Sequence, residues 1–434
     1  MIPKHIYLYC ALDHLLFILL PSWNSPTKVT RAISMERFAY PVSNSDDDTK
    51  RWFETCALVD HHCHGVVEHT LGRADFELMM TESNWLPQAG ESNFDSQVGV
   101  AIRRWCAPVL GLEAHASADE YLTRRTELGP EEVNRRFLSQ SGIEHFVIET
   151  GFRGDGILDP DQMAERAGTF HSSRIVRLET LAEQLVTNGE VSAGNYGESF
   201  RALLRAELEV AIGVKSIAAY RIGLDFEAAR PSDEEVRDAA DRWLNEIGSE
   251  GAGSPRLSCS VLIRFGIWCA VDEQAPIQFH VGYGDPDVDL HRCSPLLLSD
   301  WLRLTRESGT KVILLHCYPF HREAGFLAQV FPHVYMDVGL AINYTGVRSR
   351  EIIAESIELA PFNRILFSSD AWGLSELYYL GSQLFRRGLS ALLDDWVSRG
   401  EWSIEDAEKF VRFVSYENFE RAYSQGVRSE AGRL

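Results

Sequence analysis

Eight short apolar runs punctuate the chain from residue 56 onward: CALVD (56–60), HFVIETG (145–151), RIVRLE (174–179), VAIGVKS (210–216), PIQFHVG (276–282), KVILLHC (311–317), VYMDVG (334–339) and RILFSSD (364–370). Each ends in a polar or charged cluster. Near-continuous apolar runs of this length are the pattern of parallel strands buried on both faces; strict alternation would mark a half-exposed sheet. Helical segments fill the gaps. Ser117 with Glu120 forms a capping-box pattern and Gly129 follows that helix. Pro130 suits a first turn, with Gly142 past the last. Ser232 with Glu235 predicts another N-terminus, with its stop at Gly248. The segments 294–309 and 349–361 read as further helices. Strands alternating with helices predict an α/β protein, and eight of them predict a (β/α)8 TIM-type barrel rather than an open doubly wound sheet. Long excursions follow the first, third and fourth runs and are expected to be helical insertions after strands 1, 3 and 4. They belong on the C-terminal face of the barrel, where such folds build their sites. The stretch GSEGAGSPR (248–256) is the expected flexible loop.

Composition and charge narrow the partners. Of 434 residues, 63 are acidic and 42 basic, a net charge of −21. That balance excludes a nucleic-acid-binding surface and docking on anionic membranes. A small-molecule substrate is the expected partner, and a homo-oligomer is compatible. Eight cysteines lie at irregular spacing with no Cys-x-x-Cys pair, the usage of a reducing, cytoplasmic protein. The apolar stretch at 5–22 is interrupted by Asp13 and His14, too short and broken for a membrane span. It reads either as a poor signal peptide or, as preferred here, as part of an extension preceding a true start at Met35. The expected layout is an N-terminal extension over 1–49, a barrel domain over 50–425 and a tail over 426–434.

The chemistry gathers at the strand ends. The first run closes in Asp60-His61-His62-Cys63-His64-Gly65. Residues i and i+2 of a strand share a face. His62 and His64 therefore face one side together with Asp60, while His61 and Cys63 point away and read as structural. His280, His316 and Asp370 follow the fifth, sixth and eighth runs, each just before Gly or within reach of a turn. Alone, each reads as a satisfied core histidine or a helix cap. Jointly, four imidazoles and a carboxylate at corresponding strand ends suit a first-row divalent cation, Zn²⁺ most simply.

This pattern resembles the amidohydrolase superfamily of metal-dependent (β/α)8 barrels. The stretches DHHCHG, VKSIAAYR, FHVGYGD, SSDAWGLSELYYLGS and SYENFERAY look like its amidohydrolase-related group, most of all the amidohydrolase-like domain found fused to glutamine-synthetase-like domains. The resemblance covers roughly residues 50–425 and implies that His62, His64, His280, His316 and Asp370 occupy the family's metal and catalytic positions. It implies one or two metal ions, with Lys215 a carboxylated bridge or an uncarboxylated amine, and Glu179 an alternative bridge or a salt-bridge partner of Arg177. Asp370 would act as general base, and His316 would polarise the substrate or hold a second ion. Tyr220, Arg221 and Trp372 are the expected substrate-binding residues. Asp285, Asp287, Asp289, His321, Glu323 and Glu376 read as surface charge or loop caps. The leading expectation is hydrolysis of a C–N bond in a small amide, in the form of a γ-glutamyl amide by analogy with the fusion partner. A metal-dependent non-oxidative decarboxylase and a metal-loaded scaffold without turnover are the alternatives.

Overall fold

The apolar runs become strands that water does not reach. A computed structural model describes residues 56–424 except 152–155, 170, 190 and 251–254. Seven parallel strands pair in sequential order: β1 Leu58–Cys63, β2 Ile143–Glu149, β3 Ser172–Arg177, β4 Gly213–Ser216, β5 Ile277–His280, β6 Val312–Leu315 and β7 Val334–Met336. Every residue of β1, β4, β5, β6 and β7 is buried, which is why their sequences lack alternation.

The eighth run closes the barrel without forming a regular strand. Leu366 N donates to Met336 O of β7 at 2.9 Å, and His61 N of β1 donates to Phe367 O at 3.2 Å. Asp370 N then donates to His62 O at 3.2 Å. Residues 365–370 thus bridge β7 and β1, so the fold is the expected barrel with one irregular stave. Helices lie outside it and in the connections. The excursion between β1 and β2 holds Arg73–Leu78, Gln97–Ala101, Ala118–Leu128 and Pro130–Gln140 among others. Ser117 and Glu120 make the capping box reciprocally. One boundary differs from its sequence signal. The helix Asp233–Glu250 runs through Gly248 instead of stopping there. Glycine costs a helix only about 1 kcal/mol relative to alanine, so it permits a stop without imposing one. The expectations for 1–49 and 426–434 fall outside the described residues, as do 251–254 of the expected loop 248–256, whose first three residues continue the helix. Among the described residues, no helix is long and apolar enough to cross a membrane.

β1 is not a uniform strand. Its register with β2 slips between Asp60 and Cys63, where an extra residue makes a bulge. His61 lies within this slip. Its ring is fully buried between Asp337 Oδ2 and the Tyr423 hydroxyl, each 3.0 Å away.

Candidate metal centre

Strand ends deliver the expected cluster to one point. Ligand-type atoms of His62, His316 and Asp370 all lie within 4.8 Å of one another. Asp370 Oδ1 is 3.2 Å from His62 Nε2 and 3.5 Å from His64 Nε2, and Asp370 Oδ2 is 3.3 Å from His316 Nδ1. The ring of His280 sits 4.9 Å from that of His316, centroid to centroid. Lys215 Nζ approaches His62 Nε2 at 3.0 Å. Five of these residues, His64, Lys215, His280, His316 and Asp370, line a cavity of about 430 Å³; so do Tyr220, Arg221 and Trp372.

Two backbone features mark the site. His316 and Asp370 adopt positive φ, 67° and 48°, as does Cys317 at 52°. Non-glycine residues avoid this region, and such conformations concentrate where geometry is dictated by function. The neighbours hold them there. Asp337 Oδ1 accepts from His316 N at 3.0 Å, from Gly339 N at 2.8 Å and from Ser368 Oγ at 2.8 Å. Asp60 accepts from Ser369 N at 2.9 Å and from the Ser369 hydroxyl. Asp60 thus secures the chain beside Asp370. Burial pushes its carboxyl up to about 7 against the Ser369 hydrogen bonds.

The electrostatics keep the ligands in metal-binding form. Burial first, then the charge of Lys215, lowers His62 well below the usual imidazole range. Burial first, then His316, does the same for His280, and burial takes His316 down to about 4. Neutral imidazole is the form that ligates. Burial opposes ionisation of Asp370, but the charge of His316 and hydrogen bonds from His62 and His64 outweigh it and hold the carboxyl well below its usual range. Burial likewise lowers Lys215, against the pull of Glu149 and Asp370. His280 Nε2 and His316 Nε2 are buried with no hydrogen-bond partner among the described residues. Buried polar nitrogens rarely go unpaired. His62, His316 and Asp370 are a donor set that suits a divalent cation, with His64, His280 and Lys215 beside it.

Several contributors escape a reading of the strand ends as single ligands. Glu149, last residue of β2, lies 3.5 Å from His64 Nδ1 and forms a buried ion pair with Arg177, last residue of β3. Burial raises its carboxyl, but the charges of Arg177 and His64 override that and bring it down to about 2. Glu149 and Asp337 both end apolar runs, so the signal that picked out the ligands marks them too. Tyr378 donates its hydroxyl to His64 O. Glu82 lines the cavity from the β1–β2 excursion and is hydrogen-bonded to Tyr344; burial, then Asp370, pushes it up to about 7. No periodicity in that loop announces it. Glu179 turns to β4: its Oε1 accepts from Ser216 Oγ at 2.7 Å and Ile217 N at 3.1 Å. Asp285 and Asp287 reach the cavity rim, while His321 pairs with Glu355 at 2.7 Å.

Glu376 differs from its expected surface role. It is fully buried and accepts from Arg125 Nε at 2.8 Å and from the Tyr121 hydroxyl at 3.1 Å. Removing one partner of a buried pair strands the other charge. Glu376→Ala should therefore lower unfolding free energy by about 3–5 kcal/mol, with metal content unchanged. Denaturant unfolding beside elemental analysis checks both halves.

Comparisons with known proteins agree with this fold. Residues 188–399 match the amidohydrolase family model. A crystal structure of a candidate metal-dependent hydrolase from Lactobacillus casei ATCC 334 superposes with a TM-score of 0.75 at 30% identity, covering 87% of this chain and 97% of that one. A glucuronate isomerase from Caulobacter crescentus has the same fold at 16% identity, with a TM-score of 0.58 over 91% of this chain and 98% of its own. Protein fluG of Emericella nidulans is 29% identical over 293 residues, 61% of this chain but only 33% of that protein. A parallel barrel whose strand ends bring His62, His316 and Asp370 together, matched by the amidohydrolase family model and over 87% of its length by a candidate metal-dependent hydrolase, places this chain in the amidohydrolase superfamily.

Proposed function

We propose that the protein is a metal-dependent hydrolase that cleaves the C–N bond of a small amide. The observation that carries this reading is the position of Asp370, whose carboxylate meets His62, His64 and His316 at once on the floor of a substrate-sized cavity. A divalent cation, Zn²⁺ by preference, would acidify water to a pKa of about 7 and polarise a carbonyl there. His62, His64, His280 and Asp370 would hold it. Asp370 accepts the proton of the attacking water and returns it to the departing nitrogen. His316 donates from Nε2 to the carbonyl oxygen as negative charge develops, a role its unpaired nitrogen supports. Lys215 either orients His62 as an amine or, carboxylated, bridges a second ion. A γ-glutamyl amide is the proposed form of substrate, resting on the likeness to a domain fused to glutamine-synthetase-like partners.

Turnover of a γ-glutamyl amide panel by metal-loaded protein, with ammonia or amine release as readout, tests the reading. Release of CO₂ from small carboxylic acids, with no amine released, would replace it by the decarboxylase alternative. Chelation should abolish turnover and lower the melting temperature, because an ion that binds only the folded state adds stability by mass action. Re-addition of Zn²⁺ should restore both. A chelated protein that keeps its rate would refute metal dependence.

A further inference from the structure

Arg221 follows β4 and lines the same cavity as Lys215, His280 and Asp370. Its side chain is only 9% exposed, yet its hydrogen-bonding capacity is mostly unused. Nη2 lies 3.2 Å from Glu183 Oε1, while Nε and Nη1 are buried with no hydrogen-bond partner among the described residues. Glu183 is not wholly available to it either, since the same Oε1 accepts from Leu257 N at 2.8 Å. The other guanidiniums on this wall each hold a carboxylate of their own. Arg177 pairs with Glu149, and Arg256 Nη2 reaches Asp287 Oδ2 at 2.8 Å. Burial works against the charge of Arg221, Glu183 supports it, and the charge of Arg256 opposes it again.

We propose that Arg221 is a carboxylate anchor, and that the site therefore takes an anionic substrate: a small amide whose far end carries a carboxylate. This rests on the hydrolase reading of the metal centre and adds to it the residue that holds the substrate's carboxylate. A carboxylate offers planar acceptors to a guanidinium that lines the cavity wall with two nitrogens unpaired among the described residues. Arg221 leaves two buried nitrogens unpaired among the described residues, a capacity for one further carboxylate, which suits a monoanion better than a phosphate. In a chain of net charge −21, such an anion has to be recruited locally.

The test is calorimetric binding to metal-loaded protein of two probes of equal length, glutarate and pentanoate. Both offer one carboxylate to the metal end; only glutarate has a second for Arg221. Wild type should bind glutarate at least about tenfold tighter, the scale of one hydrogen-bonded charge contact. Arg221→Gln should erase that gap and leave pentanoate affinity unchanged. Glu183→Gln, which relieves the competing carboxylate, should widen the gap. Equal binding of both probes by wild type, or a gap that survives Arg221→Gln, overturns the proposal. If Arg221→Gln fails to fold, an unchanged gap in Glu183→Gln overturns it alone. An Arg221-dependent gap in a protein that releases no amine would remove the hydrolase reading and leave the anchor standing.

Discussion

Asp370→Asn should lower kcat by about 10²–10⁴-fold, the usual worth of a positioned proton acceptor, while metal stays bound at wild-type stoichiometry. The substitution is well suited to separate chemistry from structure. Asp370 sits at φ 48°, where asparagine is among the few residues tolerated. The amide keeps the size of the carboxylate and one oxygen to face His62 and His64. It loses the ability to take a proton. Three imidazoles, from His62, His64 and His280, remain to hold an ion, enough for a catalytic zinc site. Asp370→Ala is the informative contrast. It loses the same proton acceptor and also places alanine in the left-handed region, at a cost of about 1–2 kcal/mol. Asparagine should therefore be nearly as stable as wild type and alanine measurably less so, with both slow. Full activity in the asparagine variant would end the case for Asp370 as the base. Loss of metal along with activity would recast it as chiefly a ligand.

Much of this site can be read along the chain because parallel barrel strands are buried on both faces. A histidine or aspartate at the end of such a run stands out against valine, leucine and isoleucine. His62, His64, His280, His316 and Asp370 were visible for that reason, and the structure gathers them. Glu149 and Asp337 end runs too, but their meaning depends on partners remote in sequence, Arg177 for one and His61 for the other. The bulge in β1 is invisible to a period-2 reading, so His61 could be called structural while its partners stayed hidden. The eighth stave is hydrogen-bonded to β7 and β1 yet irregular, because its chain is already bending toward the left-handed turn at Asp370. Glu82 and Tyr344 come from segments whose placement is decided by tertiary packing alone. The π-helical turns Ile102–Cys106 and Phe413–Glu417 have no sequence signature of comparable strength. Helix starts were legible where a side chain caps them, as at Ser117, whereas the glycine at 248 carried no power to end one.

Gly284→Ala should weaken metal binding by about 10–100-fold, the usual cost of disturbing the groups that orient a ligand. Glycine here serves close approach. A Cβ at 284 would lie 2.1 Å from the Tyr220 hydroxyl oxygen, 2.9 Å from Tyr220 Cζ and 3.1 Å from His280 Nε2. Its backbone is outside the left-handed region, so alanine is conformationally acceptable and the clash is the whole effect. Tyr220 has little room to yield. Its ring lies against that of His280 with centroids 4.4 Å apart, and its oxygen accepts from Asp285 N. An added methyl must push the tyrosine, the imidazole or the 282–285 turn. Overpacking of this kind costs about 1–3 kcal/mol in a filled interior. The cause can be isolated in a double-mutant cycle. In a Tyr220→Ala background only the 3.1 Å approach to His280 Nε2 remains, and Gly284→Ala should then cost much less in metal affinity. Titration of the metal-free protein with Zn²⁺ reads all four corners of the cycle. If Gly284→Ala binds Zn²⁺ as tightly as wild type, then neither Tyr220 nor His280 is held in place by this contact. If the penalty persists without Tyr220, the methyl acts on His280 directly, and the tyrosine is only a neighbour.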